Sequence, residues 1–529
     1  MRDFQLPGRS PVYGTQGVAA TSHPLATLTA IEMLKAGGNA VDGAIAACAV
    51  QGVVEPQSTG IGGDCFALYV PAGSQQPIAF NGAGRTPAAA TVDWFGDRGI
   101  TKIEQHSPHA VTVPGAVDAW SRLLADYGRK SLGDVLQPAQ RLAAEGYPIY
   151  PRVANDWHAA APTLRQDETA RRIFLPQGRS PQPGEIHRQP ELAATLAAIA
   201  EQGRDAFYKG AIAKDIVDYL QRLGGLHTLE DFAAAQGEYV TPIATTYRGY
   251  EVYECPPSGQ GLVALLMLNI LEGYDLKAFP AMSVERFHLM AEAARLAYRD
   301  RDLYIADPKP HPLPIQEILS EAYAEQLRRT ICLERAMADL PLPAFPCHPS
   351  TVYLCVVDGE GNAMSLINST YHSFGSGLVS PQTGVVLHSR GAGFRIDPGH
   401  FNCIAPRKQP LHTIIPGMLM QKGRAVLPFG VMGGDFQPAG HVHLLTNLLD
   451  YGMDVQTALD FPRVFSYQNV CHVEHGITPR VAEGLASLGH CVQPAYEPLG
   501  GGQAIWIDWE TGVRVGGSDP RKDGCAIAC

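Results

Sequence analysis

A threonine that opens a strand, with a second hydroxyl at the matching place on the returning strand, can do chemistry that neither does alone. Thr351 begins the run Thr351-Val352-Tyr353-Leu354-Cys355-Val356-Val357-Asp358, and Ala363 to Thr370 follows the turn residues Gly359-Glu360-Gly361-Asn362. The β-branched and aromatic content of both runs predicts a hairpin with a loop of about five residues. If Val357 faces Ala363, antiparallel counting brings Thr351 opposite Ser369. A threonine hydroxyl is a poor nucleophile, but a free α-amine beside it, with a reference pKa of about 7.7–8.0, accepts its proton near neutral pH. That chemistry requires the Ser350–Thr351 bond to be cut, with Ser369 holding the new amine. From the hairpin alone, an ordinary strand threonine is the competing reading.

The elements that would position this pair are legible around it. Pro24–Ala36 has helical apolar spacing and stops at Gly37-Gly38; Asn39 then caps an almost wholly apolar helix over 41–54, which reads as internal. The glycine-rich turn Gly60-Ile61-Gly62-Gly63 leads into a strand over 65–70, and without a following Lys-Ser/Thr it is a tight turn rather than a phosphate cradle. Helices are expected through Leu124, over 132–145 and over 192–219, and strands over 240–254, with Tyr247-Arg248-Gly249-Tyr250 at the turn. Ser283–Tyr304 is a long helix whose His288, Glu292, Arg295 and Arg299 recur every three or four residues. That polar face reads as solvated or subunit-facing, with metal ligation second because no nearby ligand pair completes it. Residues 336–349, with four prolines, read as a flexible approach to Thr351, the kind of segment in which a bond is cut. Further strands are expected at 385–389, 412–416, 425–431, 503–507 and 513–516, with a helix over 442–451. Helices bracketing a late cluster of strands suggest stacked helix–sheet–sheet–helix layers. His441 and His443, two apart on a helix, do not face one site and read as structural.

Composition excludes several classes. A chain of 529 residues, 45% hydrophobic and 18% charged, buries a large core, and a net charge of −11 gives no electrostatic reason to bind nucleic acid or an anionic membrane. The amino terminus lacks the apolar core of a signal peptide and no run of eighteen apolar residues follows, so a cytoplasmic protein is expected. The eleven cysteines form no C-x-x-C framework and read as buried thiols, with Cys525 and Cys529 on a frayed tail.

The ordered motifs resemble the γ-glutamyltranspeptidases and their relatives among the amino-terminal-nucleophile (Ntn) hydrolases. They include Ser22-His23-Pro24-Leu25, Gly37-Gly38-Asn39-Ala40-Val41-Asp42, Val54-Glu55-Pro56, Gly60-Ile61-Gly62-Gly63, Val113-Pro114-Gly115, Leu136-Gln137-Pro138-Ala139 and Asp205-Ala206-Phe207-Tyr208. Tyr247-Arg248-Gly249-Tyr250, the hairpin, Gly500-Gly501-Gly502-Gln503-Ala504-Ile505 and Ser518-Asp519-Pro520-Arg521 extend the resemblance to essentially the whole chain. It implies an α/β fold, an αββα four-layer sandwich, made as a precursor that cuts itself at Ser350–Thr351. The products are a helix-rich large chain (1–350) and a small chain (351–529) carrying the nucleophile hairpin and central strands. The resemblance makes Thr351 the nucleophile, Ser369 the hydroxyl on its amine, and Gly433-Gly434 the oxyanion-binding pair; it implies neither metal nor cofactor.

Departures from the family pattern point to the substrate. Transpeptidases hold the α-carboxylate and α-ammonium of a γ-glutamyl group with an arginine and an aspartate, whose positions here are Ala83 and Gly393. Losing the aspartate strips a buried ammonium of its partner, a cost of roughly 3–5 kcal/mol. Arg390, Tyr371, His412 and Thr413 replace glutamine, asparagine and two serines, and Arg85 lies two positions beyond Ala83. The pocket has gained cation and lost anion, which favours a small acid without an α-amine. The short stretch 395–409 is less of a lid than typical transpeptidases carry, favouring hydrolysis over transfer. The chain resembles a cytoplasmic amidohydrolase branch acting on oxamate, with Arg390 or Arg85 binding the carboxylate. γ-Glutamyl hydrolysis or transfer, a cephalosporin-type acylase, and an unprocessed binding protein are the alternatives; a homodimer of processed protomers is a further expectation.

Overall fold

The computed structural model describes residues 8–310, 312–338, 340 and 349–529. Among them, two seven-stranded antiparallel sheets lie face to face. The first runs Cys525–Ala528, Gly17–Thr21, Pro349–Asp358, Ala363–His372, Asp64–Val70, Ile78–Gly82, Glu238–Val240, so the predicted hairpin sits at its centre. The second runs Val12–Gly14, Arg514–Ser518, Gly501–Ile507, Arg424–Met432, Gly417–Gln421, Tyr250–Glu254, Ile243–Tyr247. Tyr353, Cys355, Val357, Ile367, Met418 and Ile505 fill the space between them. The central strands approach closely because Gly430 has no side chain: a Cβ there would lie 2.5 Å from the Tyr353 ring.

Helices cover both outer faces. Pro24–Lys35, Ala40–Val54, Ala116–Tyr127 and Leu132–Glu145 bury their apolar residues with the outer side chains of the first sheet. Ala40–Val54 is buried at every position, and Asn39 and Asp42 close its start with a reciprocal capping box. Gly261–Glu272, Val284–Tyr304 and Gln437–Leu449 cover the second sheet. The layers are therefore helix, sheet, sheet, helix, as the distribution of elements implies.

Several local expectations are corrected. Val385–Ser389 is not a strand: only the Val379–Val386 bridge is ladder-like, and His388 and Ser389 N–H groups donate to the carbonyls of Gly62 and Thr370. The run His412–Pro416 touches Gly259 through one bridge, and the strand begins at Gly417. Its β-branched residues report burial rather than pairing. The helical stretch after Leu192 is three helices, Pro190–Gln202, Arg204–Tyr208 and Ala211–Arg222, parted at Gly203 and Gly210. The last residues are not frayed, since Cys525–Ala528 pairs with Gly17–Thr21 as an edge strand. Finally, His288, Glu292 and Arg295 are buried rather than solvated, because the strands and helix of the segment 464–494, with residues 332–338 and 340, cover that helix face.

Candidate active site

Thr351 lies at the start of the central strand and is 2% exposed. The ladder keeps the counted register from Val357–Ala363 to Val352–Asn368; Ser350 then faces Tyr371, so the register shifts across Thr351. The irregularity leaves Thr351 outside the ladder pairs, yet its Oγ1 lies 3.0 Å from Ser369 Oγ. Ser369 Oγ in turn accepts the Tyr371 N–H at 2.9 Å, with Tyr371 at φ +77°.

The second sheet brings the glycine pair. Arg424–Met432 ends in Gly433 (φ +120°) and Gly434 (φ +56°), and the turn Gly434–Phe436 packs against the strand Pro349–Asp358. A side chain at Gly433 would put its Cβ 2.9 Å from the Gly500 Cα. Gln260 Nε2 donates to the carbonyls of Gly434 (2.7 Å) and Thr413 (2.8 Å), while its Oε1 accepts from Arg301. Arg301 also pairs with Asp435, whose carbonyl accepts the Tyr298 hydroxyl. This loop is held from behind by charge-assisted bonds, which suits successive amides that must stay in place while charge develops on a substrate oxygen.

Arg390 is fully buried in the short turn Arg390–Gly393. Its guanidinium carbon is 4.0 Å from the Tyr371 ring centroid and its Nη1 donates to Thr413 Oγ1 at 2.8 Å, so Arg390, Tyr371 and Thr413 come together beside Ser369. A Cβ at Gly393 would have only ordinary contacts, 3.8 Å to the Leu411 carbonyl and 3.9 Å to the Tyr371 hydroxyl.

His412 and Arg85 stand differently from what their positions in the sequence suggest. His412 Nε2 lies 3.0 Å from Asp64 Oδ2, and its Nδ1 accepts the Ile414 N–H. Burial, then the nearby Arg390 charge, pushes its pKa down to about 3, so the ring is neutral and Nε2–H donates to Asp64. Both nitrogens are committed to the scaffold. Arg85 ion-pairs with Asp307 (2.9 Å) and Glu238 (2.8 Å) and donates to the Arg407 carbonyl. Asp307 also accepts the Gln409 N–H, and Thr86 exchanges bonds with Lys408. Arg85 thus fastens the 395–409 segment, and using it on a substrate would break two ion pairs.

Asp64 was not singled out from the sequence. Its carboxylate accepts the N–H groups of Gly84 and Gly115 as well as His412, and His388 Nδ1 is 3.5 Å away. Although burial opposes the charge, the surrounding histidines, their hydrogen bonding and Arg390 hold its pKa below the usual carboxylate value. The Cα of Asp64 pairs with that of Ser369, so this anion is built into the strand next to the one that carries Ser369. Its only sequence signal was its place at the end of the Gly60–Gly63 turn. A cleft of about 220 Å³ between Val70, Gly361, Arg424 and Trp509 lies at the loop end of the hairpin, roughly 23 Å of strand from Thr351, too far to share its chemistry.

The fold, with a threonine opening a central strand between two sandwiched sheets, defines an Ntn hydrolase. The chain belongs to the gamma-glutamyltranspeptidase family, whose profile matches residues 26–529. It is 38% identical to the glutathione hydrolase-like YwrD proenzyme of Bacillus subtilis, over 98% of this chain and 99% of that one. It is 34% identical to the oxamate amidohydrolase proenzyme of Klebsiella pneumoniae, over 97% and 98%. The crystal structure of cephalosporin acylase from Bacillus halodurans superposes with a TM-score of 0.94 at 39% identity, covering 100% of this chain and 99% of that one. The protein is an amide-bond hydrolase of this family, made as a precursor that processes itself into two chains. Among the described residues no helix is long and apolar enough to cross a membrane.

Proposed function

We propose that Thr351 is the nucleophile of an amidohydrolase whose substrate carries a carboxylate and no α-ammonium, with oxamate as the best-fitting example. Maturation cuts Ser350–Thr351, giving chains 1–350 and 351–529. The Thr351 hydroxyl adds to the Ser350 carbonyl, the C–N bond breaks, and the hydroxyl proton passes to the nitrogen, leaving an ester. Water hydrolyses that ester, releasing the Ser350 carboxylate and the Thr351 hydroxyl beside the α-amine already freed by the C–N cleavage. In turnover the amine takes the hydroxyl proton, Thr351 attacks the substrate amide, and the N–H groups of Gly433 and Gly434 stabilise the oxyanion. For oxamate, ammonia leaves, and water releases oxalate from the acyl-Thr351 ester.

One observation carries the substrate reading: a buried arginine, Arg390, stacked on Tyr371 beside Ser369, while the nearby position 393 is glycine. A planar guanidinium binds a carboxylate bidentately, and Tyr371 and Thr413 supply neighbouring hydroxyls. His412 and Asp64 keep this wall in place rather than touching substrate. The likeness to an acylase and to an acylase ACY 1 proenzyme of Pseudomonas, 32% identical over 98% of this chain, favours one further reading, deacylation of a carboxyacyl cephalosporin. A cytoplasmic location and a homodimer of processed protomers complete the proposal, and fractionation and sedimentation test them.

Ammonia release from oxamate, deacylation of a carboxyacyl cephalosporin and p-nitroaniline release from γ-glutamyl-p-nitroanilide, measured side by side, decide among these substrates. Oxamate turnover well above the other two is expected. A dominant γ-glutamyl activity overturns the reading of Gly393, and a dominant cephalosporin activity replaces oxamate while keeping the rest.

A further inference from the structure

The buried polar face of the helix Val284–Tyr304 does something the catalytic chemistry does not require. His288 Nε2 bonds the Cys332 carbonyl at 2.8 Å, with His490 Nε2 on its other nitrogen. Ala336 N–H donates to the Leu488 carbonyl at 2.7 Å, and Met337 N–H donates to Glu292 Oε2 at 2.8 Å. Arg295, ion-paired with Glu292 at 2.9 Å, donates to the carbonyls of Met337 (2.9 Å) and Ala338 (2.8 Å). Asn469 grips Leu340 on both sides: Oδ1 accepts its N–H at 3.2 Å and Nδ2 donates to its carbonyl at 2.8 Å. Gln468 and Asn469 form a two-residue turn at φ +51° and +61°, a conformation Asn tolerates. His288, Glu292 and His490 also have the donor types of a metal site. However, Glu292 already carries Arg295 and Met337, His288 gives Nε2–H to a carbonyl, and its Nδ1 shares a hydrogen bond with His490 Nε2. Those donors are committed to holding backbone.

We infer that Glu292, Arg295 and Asn469 are positioning residues for self-cleavage: they pin the backbone of 336–340 so that the chain running on to Ser350 meets Thr351 in a cleavable geometry. This rests on the reading that Ser350–Thr351 is the bond cut. Three features support it. The grip falls ten residues before Ser350, at the head of a proline-rich sequence. It also joins the two future chains, since Asn469, Leu488 and His490 follow Thr351 in sequence while 336–340 precede it. Furthermore, the same helix carries Tyr298 and Arg301, which hold Asp435 beside the glycine pair, and Arg301 Nη2 donates to Tyr467 in the hairpin that bears Asn469. One rigid rod therefore sets the spacing between the leader segment and the oxyanion loop. Attack of a hydroxyl on the preceding carbonyl depends on orientation, so a leader free to wander populates the reactive geometry less often.

The test is a time course of precursor disappearance on denaturing gels for the full-length protein, Asn469→Gly and Glu292→Gln. Glycine keeps the positive φ of position 469 while removing both bonds to Leu340. Processing slower by about tenfold or more is expected in each, with kcat/KM per cleaved molecule within about twofold of the parent; Tm stays unchanged in Asn469→Gly, which strips no buried charge of its partner, and falls in Glu292→Gln, which does. Asn469→Asp, which retains the Oδ1 acceptor, should fall between. Parental processing rates in both variants overturn the inference, as does a loss of kcat/KM matching the processing defect in either variant, or a matching loss of Tm in Asn469→Gly, which means general structural damage. The mass of the small chain reports the underlying reading separately: a fragment not starting at Thr351 removes the premise, whatever the rates.

Discussion

At the scale of single residues, the proposed function sets the Thr351 hydroxyl against the Arg390 cation. In that proposal both maturation and turnover depend on the Thr351 hydroxyl, so Thr351→Ala is expected to give a single 529-residue band without amidase activity on a denaturing gel. Arg390→Ala, assayed on oxamate, is expected to lower kcat/KM by about 30- to 1,000-fold, the range for removing one partner of a desolvated, hydrogen-bonded charge pair. The same change should affect an uncharged amide much less. Gly393→Asp is a complementary probe, because the space there accepts a Cβ without close contact. Its new carboxylate should repel an acidic substrate, cutting oxamate turnover while Tm stays near the parent; unimpaired turnover would show that position 393 does not face the substrate. The Thr351–Ser369 meeting was legible in the sequence because a hairpin register is local counting. Asp64 was not, since His412 reaches it across 348 positions of chain and only the fold reveals the encounter.

Elements decide how firmly those residues are held. The loop proposed to hold the oxyanion is a strand end turned by two glycines, braced by Gln260 from one side and by Arg301 and Tyr298 from the helix Val284–Tyr304 on the other. Gly433→Ala forces a side chain into a positive-φ position and against Gly500, displacing the amides that face the developing charge. A fall in kcat of about 100- to 1,000-fold is expected, with KM changed far less. An equal rise in KM would instead mean that the turn binds substrate in its ground state. The polar face of this helix was misread as solvated because charged residues at i, i+3 and i+4 usually face water. Here residues 332–338 and the strands and helix of 464–494 cover it, and covering elements that come from distant sequence leave no mark on the helix itself. The opposite error was made at 412–416, whose apolar β-branched residues are buried without being paired.

For the whole molecule, the layered fold was readable because long apolar helices and alternating strands announce themselves, whereas the edge strand at the carboxy terminus depends on a partner some five hundred residues away. The same packing buries Glu55, an acid whose titration acts on the stability of the fold. Glu55 is wholly buried, its Oε2 accepting from Ser22 Oγ at 2.6 Å and Gln51 Nε2 at 3.1 Å, and desolvation raises its pKa from 4.5 to about 7 despite those bonds. Below the unfolded value both states carry the proton and nothing is lost. Between about 4.5 and 7 the folded state keeps a proton that the unfolded state has released, so stability falls as pH rises. Above about 7 the charge sits buried at a standing cost of roughly 3 kcal/mol. Glu55→Gln removes this dependence while preserving shape. Compared in the uncut Thr351→Ala background, where one chain melts, the Tm of Glu55→Gln relative to its parent should rise by about 2–3 °C between pH 5 and pH 8. A difference that does not change with pH would mean that Ser22 and Gln51 already stabilise the carboxylate enough to hold its pKa near the ordinary value.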